Sequence, residues 1–437
     1  MDAPTDDAPV RRRGVALAPL RHRNFALVWS AGLISNVGTW METVAVGDLV
    51  AGRTGEAGWT ALVAAAGFLP MGFMGPIGGA LADRLDRRRM LVAMTAAQMV
   101  FATALTVLSA TGHASPGAVA LLVFGAGCVA GLGFPAYSAM LPDLVDTEDL
   151  LAAVSLSQAQ WNLGRVVGPA LAGLAILHGS YTTAFAINAA SFAVMLVALR
   201  LLRLTHTGDP TDTSSLLARI RVGARAARAE PGVRSAILMI SIVALTASPF
   251  IALIPAMARV RFDGTSALTS WFVTAQGVGA VVGALALPVL AQRFGRYRML
   301  LTSFALLTAA LVVYGTVPTA PLAVVALVAV GMTYMFVFSG IGTVVQLRAP
   351  AALRARVLSF YFLALGVLYP IGATIQGPIA DRVGLGTVTA AAGLLLLAAV
   401  VAIGVLRPAR LRALDDPDPA TAAVPDPPGS VVGEPTA

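Results

Sequence analysis

Three ionisable residues lie inside long apolar runs: Glu42 and Asp48 in the first run, and Arg165 in the fifth. Charge in such a setting is costly and marks a cavity, a buried partner or an ion pathway. A carboxylate there is a candidate proton carrier, and a guanidinium beside it holds it ionised. A pair that closes and separates would therefore release and take up a proton. With a helical rise of about 1.5 Å per residue, Glu42 sits roughly 26 Å from the N-terminal side, Arg165 roughly 20 Å and Asp48 roughly 34 Å. Depth pairs Glu42 with Arg165. A permanent ion pair fixing the first span to the fifth accounts for them equally well. Asp48 lies near the opposite surface and reads equally as a solvated helix end. It points about 120° away from Glu42 on a regular helix, so the two need not share a partner. Asn36 and Asn162 add polar groups nearby, for which helix-to-helix hydrogen bonding is the plainer account.

The elements that carry these residues are membrane helices. Hydrophobic residues make up 57% of the 437-residue chain and charged residues 12%, against roughly 25% charged in soluble domains. Runs of about 20 apolar residues match the thickness of a hydrocarbon core. Twelve spans are predicted, at 25–50, 59–81, 90–111, 116–140, 152–177 and 182–202, then 233–257, 268–291, 299–317, 321–347, 357–379 and 385–406. The two sets repeat. Arg84-Leu85-Asp86-Arg87-Arg88-Arg89-Met90-Leu91 returns as Arg293-Phe294-Gly295-Arg296-Tyr297-Arg298-Met299-Leu300 at an offset of 209, and the same offset carries Gly168-Pro169 onto Gly377-Pro378. Parallel six-span repeats with a site between them are a transporter plan. The expected fold class is therefore an all-α membrane protein of 12 transmembrane helices in two pseudo-symmetric six-helix bundles. Its parts are an arm at 1–24, bundles at 25–204 and 233–407, a middle loop at 205–232 and a disordered tail at 408–437. Within the loop, 215–230 reads equally as a basic surface helix or a solvated connector.

The net charge of +8 comes entirely from arginine, since there is no lysine. With the N-terminus inside, 25 of the 30 arginines fall on the cytoplasmic side, the asymmetry that orients membrane proteins. That pattern explains the charge without nucleic acid and predicts a bacterial plasma membrane protein with both termini cytoplasmic. The N-terminus lacks the features of a cleavable signal. Cys128 is the lone cysteine and the four histidines do not pair at ligand spacing, so no metal site is expected.

Two motifs carry a family resemblance. Gly79-Ala80-Leu81-Ala82-Asp83-Arg84-Leu85-Asp86-Arg87-Arg88 joins the second and third spans. It resembles the signature loop of the major facilitator superfamily, with Asp86 where glycine is usual and Gln292 where the second copy would repeat Asp83. Gly79 is expected to admit a close helix, Asp83 to latch onto a helix N-terminus, and Arg84, Arg87 and Arg88 to bind carboxylates or lipid phosphates. Gly164-x-x-x-Gly168-Pro169-x-x-Ala172-Gly173 resembles the antiporter motif of proton-coupled exporters, with Ala172 in place of a second glycine. Phe134-Pro135-Ala136, Leu141-Pro142-Asp143-Leu144-Val145, Gln346-Leu347 and Arg354-Ala355-Arg356-Val357-Leu358-Ser359 look like the branch holding enterobactin-type siderophore exporters and macrolide efflux proteins.

The resemblance implies a proton-driven exporter working by alternating access, a monomer in membrane lipid with no cofactor beyond the proton gradient. Its expected cargo is a hydrophobic or amphiphilic small molecule such as a drug, siderophore or secondary metabolite. The second half offers Gln276, Tyr361, Tyr369 and Gln376 as cavity wall, and the offset gives no ionisable counterpart for Glu42, Asp48 or Arg165. Rival readings are a proton-coupled importer, a lipid or lysolipid flippase, and an intramembrane enzyme. The last would need a catalytic pair that the spans do not supply. No phosphate-binding loop points to ATP.

Overall fold

A computed structural model describes residues 15–82, 84–202, 221, 224–225, 227–349 and 354–415. The segment 1–14, most of the basic stretch 215–230, Asp83 and the tail from 416 lie outside the described residues. Six helices build the first bundle: α1 (Arg23–Thr54), α2 (Ala57–Ala82), α3 (Arg87–Ala110), α4 (Pro116–Met140), α5 (Leu150–His178) and α6 (Tyr181–Leu201). Six more build the second: α7 (Pro231–Arg261), α8 (Ser266–Phe294), α9 (Arg296–Thr316), α10 (Ala320–Arg348), α11 (Arg354–Val383) and α12 (Leu385–Leu406). The predicted twelve spans and two bundles are what is found, and most ends differ by a few residues. Both described chain ends lie on one side, here called the terminal face, and the opposite side is the far face.

Ten of these helices are apolar enough to cross a membrane on length and composition alone, and α1 and α5 fall short. Those two carry Glu42, Asp48 and Arg165. Helices with polar stripes find their partners in protein rather than lipid, and α1 packs between α5 and α6. Helix α7 is interrupted at Ala247–Pro249, because Pro249 has no N–H to give the Leu245 carbonyl. Gln376 of α11 repairs the break, its Nε2 donating to the carbonyls of Leu245 (3.1 Å) and Thr246 (2.7 Å). The helix then widens into a π turn at Met257–Arg261.

The bundles meet along two seams, α5 against α8 and α2 against α11. The offset of 209 carries α5 onto α11 and α2 onto α8, so the seams are two copies of one contact. Backbones approach closely at both. A Cβ on Gly173 would fall 2.7 Å from Ser270, and one on Gly377 would fall 2.9 Å from Gly58. Towards the terminal face α2 still meets α11 at Gly72, where a Cβ would fall 3.0 Å from Val367, and a Cβ on Gly75 would point into open space. The core of the second bundle takes in Ala57 and Ala61 at the far-face end of α2.

Candidate functional site

Midway through the membrane, Arg165 of α5 reaches across to the second bundle, where its Nη2 donates to Gln276 Oε1 of α8 at 3.1 Å. Its guanidinium lies 5.8 Å from the Trp40 ring centroid. Trp40 in turn meets Trp161 edge-on at 6.0 Å. Tyr334 and Tyr369 lie within electrostatic reach of the same cation. Tyr369 also packs edge-on against Phe68 of α2 at 5.5 Å, and Tyr334 against Phe250 at 5.7 Å. One cation from the first bundle thus sits against Trp40 of its own bundle and within electrostatic reach of two tyrosines of the second.

The expected pairing of Glu42 with Arg165 is not made. Glu42 instead accepts a hydrogen bond from Asn188 Nδ2 of α6 at 2.7 Å. The reason is angular. Trp40 faces Arg165, and Glu42 is two residues later, about 200° around the helix. The depths are comparable but the directions are opposed. The Glu42 face of α1 includes Gly38, where a Cβ would fall 2.7 Å from Asn188 Oδ1, so α6 runs tight against it.

Asp48 is not a solvated helix end; it is fully buried. Arg259 of α7 clasps it at two points, Nε to Oδ1 and Nη2 to Oδ2, both 2.7 Å. Thr269 donates to Oδ1 at 2.6 Å and Tyr181 to Oδ2 at 2.7 Å. Arg259 Nη2 further reaches Ser266 Oγ at 2.6 Å. This network joins α1 and α6 of one bundle to α7 and α8 of the other at the far face. A second lock stands beside it. Asp381 of α11 accepts from the backbone N–H groups of Ala57 (2.6 Å) and Gly58 (2.9 Å), capping the N-terminus of α2 from across the seam.

Of the remaining expected cavity residues, Asn36, Tyr361 and Gln376 tie helices together. Asn36 donates to the Gln160 and Trp161 carbonyls at 2.9 and 3.3 Å, tying α1 to α5. Asn162 is exposed and donates to Gln158 O of its own helix. Tyr361 is buried and donates to Phe338 O at 2.7 Å. Gln376 is committed to the break in α7. The motif on α5 divides its work. Gly164 and Gly168 lie against α1, where a Cβ on Gly168 would meet Val37 O at 2.9 Å. Pro169 follows, buried in α5. Gly173 lets α8 of the other bundle approach.

The family model described as transmembrane secretion effector matches residues 14–431. The chain belongs to this family of the major facilitator superfamily. The multidrug efflux pump Tap of Mycolicibacterium fortuitum is 31% identical over 403 residues, covering 89% of this chain and 96% of that protein. Macrolide efflux protein A of Streptococcus pyogenes is 22% identical over 365 residues, covering 82% and 90%. The fold matches that of the nucleoside transporter NupG (TM-score 0.67, 14% identity, 86% and 98% covered). It also matches a bacterial homologue of the lysosomal transporter Spinster, solved inward-facing and unoccupied (TM-score 0.64, 14% identity, 90% and 97% covered). The chain is a multi-pass membrane transporter.

In this major facilitator chain the signature loop works as a clamp. Arg87 Nη1 donates to Asp143 Oδ2 (3.0 Å) and to Ala139 O (2.9 Å), holding the end of α4. Arg88 donates to the carbonyls of Leu199 (2.8 Å) and Arg200 (2.7 Å), holding the end of α6. Arg84 is exposed at the turn. Asp86, the departure from the usual glycine, caps α3 by accepting from Arg89 N at 2.7 Å. The glycine at the close crossing is Gly78 rather than Gly79. A Cβ on Gly78 would lie 2.8 Å from Leu132 Cα, whereas one on Gly79 would meet only Pro135 at 3.9 Å. The latch expected of Asp83 lies outside the described residues.

Arg259, Tyr181, Thr269, Ser266, Asp381, Asn188 and Trp40 are participants not singled out in the sequence. Arg259 had a findable signal. Offset from Met257 by two, and from Asp48 by 211 positions, it stands at Asp48's depth in the pseudo-equivalent helix.

Proposed function

We propose that this transporter exports an amphiphilic small molecule by alternating access, with the terminal face in the bacterial cytoplasm and proton entry as the driving force. The arginine distribution supports that orientation. The similarity to Tap and to macrolide efflux protein A supports export. The observation that carries the mechanism is the far-face lock. Asp48 and Arg259, with Asp381 of α11 capping α2, hold the bundles together on one side of the central Arg165–Gln276 contact, while α2 meets open space at Gly75 on the other. This is the state that loads from the cytoplasm. Opening outward requires breaking the Asp48 pair, so the cargo's binding energy and the proton together must favour the separated form.

Glu42 is the proposed proton carrier. Its described partner is the neutral Asn188 amide, whereas Asp48 is held by a guanidinium. Movement of α1 against α6 would change what surrounds Glu42, and with it the charge it can keep. Expression in an exporter-deficient bacterium, across a panel of toxic amphiphiles, tests the direction. Resistance is expected, and sensitisation would make the chain an importer. Inverted vesicles energised to acidify their lumen should accumulate the same compounds. Loss of a fluorescent lysolipid from one leaflet, without transport of any soluble compound, would make it a flippase.

A further inference from the structure

The centre of the molecule holds several hydrogen-bond donors and a positive charge without an anion to receive them. Arg165 has five N–H donors, one of which goes to Gln276 Oε1. It makes no ion pair among the described residues, because Glu42 faces α6 and Asp48 is spent on Arg259. Gln276 is 1% exposed and its Nε2 is buried without an acceptor. Turning the amide over would set NH2 against guanidinium, donor against donor, so the orientation follows from Arg165 itself. The indole Nε1 of Trp40 is also buried and unpartnered. Trp40 of α1 and Gln276 of α8 thus flank Arg165 of α5 between the bundles, each with a buried donor that no acceptor meets. Buried donors without acceptors are rare in folded proteins and call for an explanation such as a missing ligand.

We propose that Arg165, Gln276 and Trp40 form the polar end of the cargo site, and that the exported molecule is a lipophilic organic anion whose oxyanion is the missing acceptor. A carboxylate suits a guanidinium fork. A cation would meet Arg165 with no carboxylate to offset it. The rest of the molecule has an apolar bed close by, in Trp161 against Trp40 and in Tyr334 and Tyr369 on the other bundle. An anion there bridges the bundles, since Arg165 and Trp40 belong to one and Gln276 to the other. The proposal rests on the export reading for the direction of movement alone; the recognition chemistry is independent of it.

The test uses the full chain purified in detergent, with three probes sharing one pyrene body: 4-(1-pyrenyl)butanoate, its neutral amide and the matching trimethylammonium. Energy transfer from the protein's tryptophans reads saturable binding. The wild type should bind the carboxylate at least about tenfold more tightly than the amide, and the ammonium least. In Arg165→Gln the carboxylate-to-amide affinity ratio should fall to near one, and Arg165→Lys should restore part of it. Trp40→Phe and Gln276→Met, which remove donors but keep bulk, should each reduce the ratio severalfold. The proposal is overturned if the wild type shows no saturable binding of the carboxylate or no preference for it. It is equally overturned if the preference survives in correctly folded Arg165→Gln, or if the ammonium binds best. Proteoliposomes then separate this from direction. A carboxylate that binds with the expected preference but moves only from the far face inward would refute export and leave the anion site standing. Displacement by lysophosphatidate, with no transport of the pyrene carboxylate, would place the oxyanion on a lipid and refute a soluble cargo.

Discussion

Asp48 and Arg259, 211 positions apart in the chain, meet in a two-point ion pair that bridges the bundles at the far face. The carboxylate is fully buried and the guanidinium side chain is 21% exposed. Leaving either charge buried alone costs about 3–5 kcal/mol. Within the closed state the pair is therefore strongly self-consistent, and its loss is felt as a change in which state is populated. Asp48→Asn combined with Arg259→Gln should populate the form open at the far face. Spin labels replacing exposed His113 and Thr319, in a Cys128→Ala background, should report a longer distance. An unchanged distance distribution would mean that the pair does not hold the seam.

The Asp381 cap should act in the same direction but more weakly. Removing a capping side chain costs about 1 kcal/mol. Asp381→Ala should broaden the distance distribution between the same two labels without displacing it fully. It should also lower thermal stability less than the Asp48 and Arg259 changes do. A stability loss as large as that of Arg259→Met would show that Asp381 holds more than the start of α2.

Glycine substitutions separate close approach from mere sequence likeness. Gly168→Ala should destabilise the α1–α5 crossing by about 1–3 kcal/mol through overpacking, because its Cβ would meet the backbone at Val37 and Met41. Gly78→Ala should do the same between α2 and α4. Gly79→Ala should be nearly neutral. Thermal unfolding in detergent ranks the three, and a destabilised Gly79→Ala would contradict the observed crossing.

Glu42→Gln preserves an acceptor for Asn188, so the variant should fold and insert. In reconstituted vesicles it should lose proton-driven accumulation but retain downhill exchange of cargo. Adding Arg165→Met should not rescue or worsen its folding, as the two side chains do not touch. Accumulation against a gradient at the wild-type rate would exclude Glu42 as the coupling group.

Sidedness is checked with single cysteines in the Cys128→Ala background. Replacements at Arg84 and Arg407, both exposed on the terminal face, should resist membrane-impermeant thiol reagents in intact cells. Replacements at His113 and Thr319 should react. The reverse pattern would invert the orientation and with it the assignment of loading side.

The twelve helices were legible because runs of about 20 apolar residues and the 209 offset are properties of the chain itself. The site was legible in part. Depth along a helix follows from counting, which placed Glu42 and Arg165 at comparable levels. Contact also needs direction, and the Trp40 position shows that α1 turns Glu42 towards α6. A seventh span ending at 257 puts Arg259 in the far-face loop rather than in a helix. The π turn at Met257–Arg261 carries the helix further and brings Arg259 to the level of Asp48. Asn36 and Gln376 look alike in the sequence as polar residues within apolar runs. Only the crossing with α5 and the break in α7 show that both are occupied with helix packing.

Helix α1 also sets a problem in time. It is made before the eleven helices that follow it, it is too polar to qualify as a span on composition alone, and its two carboxylates depend on residues made much later. Glu42 waits 146 positions for Asn188, and Asp48 waits 211 for Arg259. At 5–20 residues per second of synthesis, the second wait is roughly 10–40 s. During that interval a nascent chain holds an unmatched charge at the edge of the bilayer. The final seat of α1 is therefore complete only once α7 has been threaded. Truncated chains ending before Arg259 should leave α1 accessible from the aqueous side, and chains extended past Thr269 should bury it.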